Sequence, residues 1–177
     1  MACGITLNGI DFGCRDSVGG INRIWLADWN TAAPSISQGR YTATMTNDDS
    51  DHTPVFKLFR IRVGNGSMES TLASSEANGT TSVTTDLNMK FTKLSEDNRA
   101  EIAEILKGNL AAIIETNAGE YYGLGAKHPV TLTAGTVTAG TAMEDFAGYD
   151  ITIQDYDSTL PYLLDESLIA DLPTTVE

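Results

Sequence analysis

TTSVTTDLNMKFTKLSEDNRAEIAEILKGNLAAIIE, residues 80–115, decides the fold class. Val83, Thr85, Leu87, Met89 and Phe91 take every second position with mostly polar residues between them, which is the period of a strand with one buried face. Ser95 stands where a helix N-cap belongs, because its hydroxyl can accept from N–H groups of the first turn. Glu96 and Asp97 place negative charge at the positive end of the helix dipole. Ala100, Ile102, Ala103, Ile105 and Leu106 make a narrow apolar stripe, Lys107-Gly108 closes the helix, and Leu110 to Ile114 resumes as an apolar strand. The stretch therefore predicts a strand, one helix at about 96–107, and a second strand. No other segment reads as helix so clearly, so the expected class is α+β and β-rich.

Outward from this centre, short strands and turns alternate. Residues 1–20 carry Gly4, Gly9, Gly13, Gly19 and Gly20 and read as an N-terminal arm. Ile21 to Ala27 is an apolar strand around Trp25, residues 28–39 a loop, and Arg40 to Met45 a second strand. TNDDSDHTP at 46–54 is a turn region. Val55 to Val63 has the strongest strand propensity, and it carries Lys57, Arg60 and Arg62. These three bases either pair with carboxylates of the same or a neighbouring copy or lie on an exposed face. Ser70 to Ser74 begins another strand, and Asn78-Gly79 signals a type I′ hairpin into the central strand. Asn117-Ala118-Gly119 turns the chain into Glu120–Leu124. Residues at about 125–148, with TAGT at 133–136 and again at 138–141, form a long loop or hairpin with little to fill a core. Tyr149, Ile151 and Ile153 alternate as a strand. Residues 156–177 hold Leu160, Tyr162, Leu163, Leu164, Leu168, Ile169 and Leu172 and read as a docking segment. All 177 residues fit one domain.

The net charge of -13, from 24 acidic and 11 basic residues, argues against a groove built for DNA or RNA, which needs clustered Lys and Arg. After Lys127 there is no Lys or Arg, while Glu144, Asp145, Asp150, Asp155, Asp157, Asp165, Glu166, Asp171 and Glu177 are acidic. This is either a solvated acidic surface or one that repels nucleic acid or meets a basic partner. No apolar run spans a bilayer and no signal peptide is recognisable, so the expectation is a soluble protein made in the cytosol, with no membrane partner. Cys3 and Cys14 match neither a zinc nor a redox motif and read as reduced thiols; a disulfide between them would need the arm to fold back as a hairpin.

Catalytic chemistry is hard to find. His52 and His128 are the only histidines, no nucleophile sits in a recognisable elbow, and Asp48, Asp49 and Asp51 lack the spacing of a calcium loop. The reading is a non-enzyme with no catalytic, cofactor-binding or metal residues and no cofactor.

The strand–helix–strand at 80–115 and the late strand GYDITIQD at 148–155 resemble the tail-tube proteins of long-tailed bacteriophages. The opening MACGITLNGIDFGC and VTAGTAMEDFAGYDITI at 137–153 are similar to tail or virion proteins of phages infecting Bacteroidetes. The resemblance implies an antiparallel β-sandwich or barrel of the tail-tube type, flanked by one helix, with a loop or hairpin and terminal arms reaching neighbours. It implies a virion subunit that self-assembles into stacked, hexameric rings around a channel through which DNA passes without specific binding. Its partners would be its own copies and other tail and neck proteins. It would reside in the virion tail, and in the host cytoplasm during assembly. The alternative from another class is a capsid decoration protein or a neck or tail-terminator adaptor.

Overall fold

The computed structural model describes residues 9–10, 18–29, 36–37, 39–41, 56–170 and 172–175. In chain order the strands are β1 (Ile21–Asp28), β2 (Ile36–Ser37), β3 (Arg40–Tyr41), β4 (Lys57–Arg60), β5 (Gly66–Ser75) and β6 (Thr80–Thr92). The helix α1 (Glu96–Ile105) follows, then β7 (Leu110–Thr116), β8 (Tyr121–Leu124), β9 (Thr131–Thr138), β10 (Gly148–Asp157) and β11 (Tyr162–Leu164). They form a seven-stranded sheet in the order β2-β3-β11-β8-β7-β1-β4 and a four-stranded sheet in the order β5-β6-β10-β9. Every pairing is antiparallel except β11 beside β3. The protein is thus β-rich, with two mostly antiparallel sheets and one α-helix among the described residues, consistent with a β-sandwich.

The alternation in β6 survives intact. Leu87 lies opposite Ile153 and Met89 opposite Ile151 in the β6–β10 register, and all four are buried. They meet Ile24 and Leu26 of β1 with Ala112 and Ile114 of β7, the inner face of the larger sheet. The intervening residues Trp25, Ala27 and Ile113 point the other way into a second cluster. A sheet buried on both faces needs a continuous apolar run, not an alternating one, which is why INRIWLA and LAAII lack a polar face. Tyr162, Leu164, Ile169 and Leu172 of the C-terminal segment help build that second cluster. Each such aliphatic side chain contributes about 1.5–3 kcal/mol on burial. The Trp25 indole N–H donates to the Pro173 carbonyl at 2.8 Å.

Helix α1 starts at Ser95, whose hydroxyl accepts from the Asn98 N–H at 3.3 Å. Ile102 and Ile105 enter the core between the sheets. Leu106 does not: it is the C-cap, and its side chain is exposed. The apolar stripe is therefore narrower, and the helix shorter, than its sequence suggests.

Other expectations also shift. The strand expected at Val55–Val63 is confined to Lys57–Arg60. Beyond it the chain turns, with the Asn65 N–H bonded to the Arg62 carbonyl at 2.9 Å. Ile61 packs where a Cβ on Gly66 would stand, 2.2 Å from its Cδ1. The Ser70–Ser74 strand extends to Gly66–Ser75. The hairpin into β6 has a four-residue loop, with the Gly79 N–H on the Glu76 carbonyl at 3.3 Å. Gly79 has φ 62 while Asn78 is not in the left-handed region, so the turn is not type I′, which needs positive φ at both central residues. The segment 125–148 forms one arm and the turn of a hairpin that extends beyond it: β9 pairs with β10, from Gly148 opposite Thr138 onward, and 139–147 connects them. Ile36–Ser37, read as loop, is a short strand, and the docking segment contributes β11 to the larger sheet. The remainder of the Arg40–Met45 strand and the turn at 46–54 fall outside the described residues, as do Cys3, Cys14, Asp48, Asp49, Asp51, His52 and most of the arm.

Candidate self-assembly surface

The smaller sheet ends in two strands with one partner each. β5 pairs only with β6 and β9 only with β10, so among the described residues nothing bonds to their outer edges. An edge strand presents unpaired N–H and C=O groups, and monomeric proteins usually blunt it with charge, proline or a bulge. β9, TLTAGTVT, has no charged residue and no proline. It has one bulge, where the register with β10 shifts between Thr152 and Ile153. Beyond that bulge Ala134 to Thr138 is exposed at every residue. This is a chemically unprotected edge.

The outward face of the same sheet follows from register. β6 presents Ser82, Thr84, Asp86, Asn88 and Lys90 there, and β10 presents Asp150, Thr152, Gln154 and Tyr156. β5 adds Ser67, Glu69, Thr71 and Ala73, and β9 adds Ala134, Thr136 and Thr138. Side chains cross-link the strands: the Asn88 amide donates to Asp150 at 2.8 Å and the Gln154 amide to Asp86 at 2.7 Å. The one lysine, Lys90, lies 3.3 Å from Asp150. The face is a hydroxyl and amide surface with a small negative balance.

Exposed apolar groups gather at the margins of this sheet. At the helix end, Leu94, Leu106 and Val137 edge a groove of about 670 Å³ between α1 and β9, floored by Tyr149 and Ile102. At the opposite end Leu72, on the edge strand β5 across from buried Val83, is exposed. A further groove of about 410 Å³ lies between β4 and α1, with Phe59, Phe91 and Ile102 beneath Arg60, Asp97 and Glu101.

The other concentration of chemistry is buried. Asp155 and Asp157 continue the inward parity of Tyr149, Ile151 and Ile153 along β10, and both are buried. Asp157 accepts from the Lys127 ammonium at 3.1 Å and the Tyr162 hydroxyl at 3.4 Å. Burial raises the Asp157 carboxyl, but the Ser158 N–H and Lys127 outweigh it, and its pKa falls below the usual value. Burial pushes Asp155 up to about 6, with the Asp157 charge adding and the Gly125 N–H and His128 opposing. Burial likewise drives Tyr41 well above the usual tyrosine value. Tyr41 and Tyr162 are in ring contact at 5.7 Å. The network fastens β11 to the end of the sandwich, and none of the grooves described above is lined by it. Asp155 and Asp157 thus do not belong to an acidic surface, solvated or partner-facing; their parity with Ile151 and Ile153 is the signal that places them inward.

Of the basic residues singled out from sequence, Arg60 donates to the Thr174 carbonyl at 2.8 Å, not to a carboxylate. Arg62 forms no ion pair with a described residue. His128 is exposed beside Asp155. Among the described residues no group of three or more His, Cys, Asp or Glu is placed to hold a metal ion. No helix among them is long and apolar enough to cross a membrane. No known protein family, curated protein or solved structure matches the chain.

Proposed function

We propose that this chain is a non-enzymatic structural subunit of the tail-tube type, which closes its four-stranded sheet with copies of itself into a virion channel. The observation that carries the reading is the unprotected edge of β9, matched by the second open edge at β5. The sheet has an even number of antiparallel strands. Rotation about an axis along the sheet therefore brings β5 of one copy antiparallel to β9 of the next. Such a heterologous contact makes a ring when the rotation closes, and closure removes both edges. The outward hydroxyl-rich face suits a wall past which DNA must slide, since it offers no unpaired cation to the phosphates. Six-fold symmetry and stacking into a tube come from the family resemblance alone.

Electron microscopy and light scattering of the purified protein test this. Rings or tubes whose abundance rises with concentration are expected. A particle that stays monomeric to millimolar concentration would refute the reading and favour the decoration or adaptor alternative.

A further inference from the structure

We infer that the groove between α1 and β9 receives the Val63 turn of a second copy, with Arg62 of that copy reaching Glu96. The inference rests on the ring reading above and names the contact that would fix its register.

The groove and the turn lie on opposite margins of one sheet, at the same end. Val137 is opposite Tyr149, which is opposite Phe91, so the groove sits at the level of Phe91. The turn before β5 is tied to the neighbouring level, because the Lys90 N–H donates to the Asn65 carbonyl at 2.9 Å. If β5 of the second copy runs antiparallel beside β9 without stagger, its turn arrives at the groove mouth.

The surfaces match in chemistry. Val63 is 88% exposed, and Leu106 and Val137 across the sheet are 61% and 65% exposed. A valine standing in water at one margin and an uncovered leucine and valine at the other gain by meeting. Arg62 adjoins Val63 and has no ion-pair partner among the described residues. Glu96 lines the groove, in the first turn of α1. Arg99 lines it too, so the incoming guanidinium must settle on the Glu96 side. The turn is preformed, held by the Asn65–Arg62 bond and by Ile61 over Gly66, so little ordering opposes docking.

The test uses the full chain with Cys3→Ser and Cys14→Ser. A Val63→Cys chain and a Leu106→Cys chain should cross-link under oxidation only when mixed and assembled. Val63→Asp should raise the concentration needed for assembly by about tenfold or more, with the monomer's unfolding transition unmoved. Arg62→Glu should weaken assembly, and Glu96→Arg in the same chain should restore it, which a merely structural role for Arg62 would not give. Particles that form normally with Val63→Asp and show no cross-link would overturn the groove contact while leaving the ring reading standing. Absence of particles in the unsubstituted protein would overturn both.

Discussion

Replacing Asp155 with asparagine should make the protein more stable at neutral pH and not at acid pH. The side chain lies on the inward face of β10 and the residue is only 8% exposed. Burial lifts its carboxyl from 3.8 to about 6, the nearby Asp157 charge adds to this, and N–H groups of Gly125 and Tyr156 with His128 hold it back. A folded pKa above the unfolded one means the native state binds the proton more tightly. Its contribution is therefore fully present below about pH 3.8 and lost as pH rises through about 6. At pH 7 the ionised group costs at most about 3 kcal/mol, at roughly 1.4 kcal/mol per unit, and partial access of water reduces this to about 1–2 kcal/mol. Asparagine keeps the shape and an oxygen for the Gly125 N–H. In a chain of this size the gain corresponds to a rise of about 3–6 °C in Tm. Asp157 works in the opposite sense, since its lowered pKa gives stability above the unfolded value that is lost on acidification. Absolute stability mixes the two groups, whereas the difference between Asp155→Asn and the unsubstituted protein isolates one. Urea melts of dilute monomer at pH 4 and pH 7.5 supply that difference. An equal difference at both values, or destabilisation at pH 7.5, would refute the assignment of a strained carboxylate to this position.

Ile102→Asp or Ile105→Asp should abolish cooperative unfolding, because each buries an unpaired charge between the sheets; Lys107→Ala, which removes only an exposed contact to Glu104, should leave the melt unchanged. Lys93 has φ 80 and is exposed at the bend between β6 and α1, so Lys93→Gly should stabilise by about 1 kcal/mol in chemical denaturation. Assembled protein should not retain duplex DNA at physiological salt in a filter or gel-shift assay, and tight binding with a steep salt slope would contradict the proposed channel wall.

What the sequence disclosed follows range in the chain. The strand, helix and strand at 80–115 were legible because their signals are local: alternation in Val83 to Met89, a serine cap, and two isoleucines three apart. β9 reads only as part of a long loop or hairpin because its inward positions after the bulge are Gly135 and Val137, which fill little core. Its strand character comes from pairing with Gly148 to Gln154 of β10 beside it, a partner that its own composition does not encode. β11 was hidden for a related reason, being three residues placed between β8 and β3 by pairing at long range. Asp155 and Asp157 read as surface because acid runs usually face solvent or a partner, and only the phase of the preceding isoleucines marks them as inward. Most of the edge chemistry of the candidate surface was in the sequence, but which strands are edges was not.

The distribution of charge completes the physical case for the proposed wall. A net charge of -13 suggests a channel that repels DNA by sheer acidity, yet the outward face of the smaller sheet is nearly neutral. Its carboxylates are Glu69, Asp86 and Asp150; Asp150 faces Lys90, and Asp86 accepts from Gln154. Much of the remaining acid sits on α1, in Glu96, Asp97, Glu101 and Glu104, and near the C-terminus. Repulsion from such sites is screened within about 8–10 Å at physiological salt, too short a range to govern a duplex at the far face of the sheet. What a sliding duplex requires is the absence of cations that release its counterions, and a wall of Ser, Thr, Asn and Gln with one neutralised lysine meets that requirement without strong fields. The acid on α1 is then available for contacts between copies, where Glu96 lines the groove beside β9 and Arg62 has no ion-pair partner among the described residues.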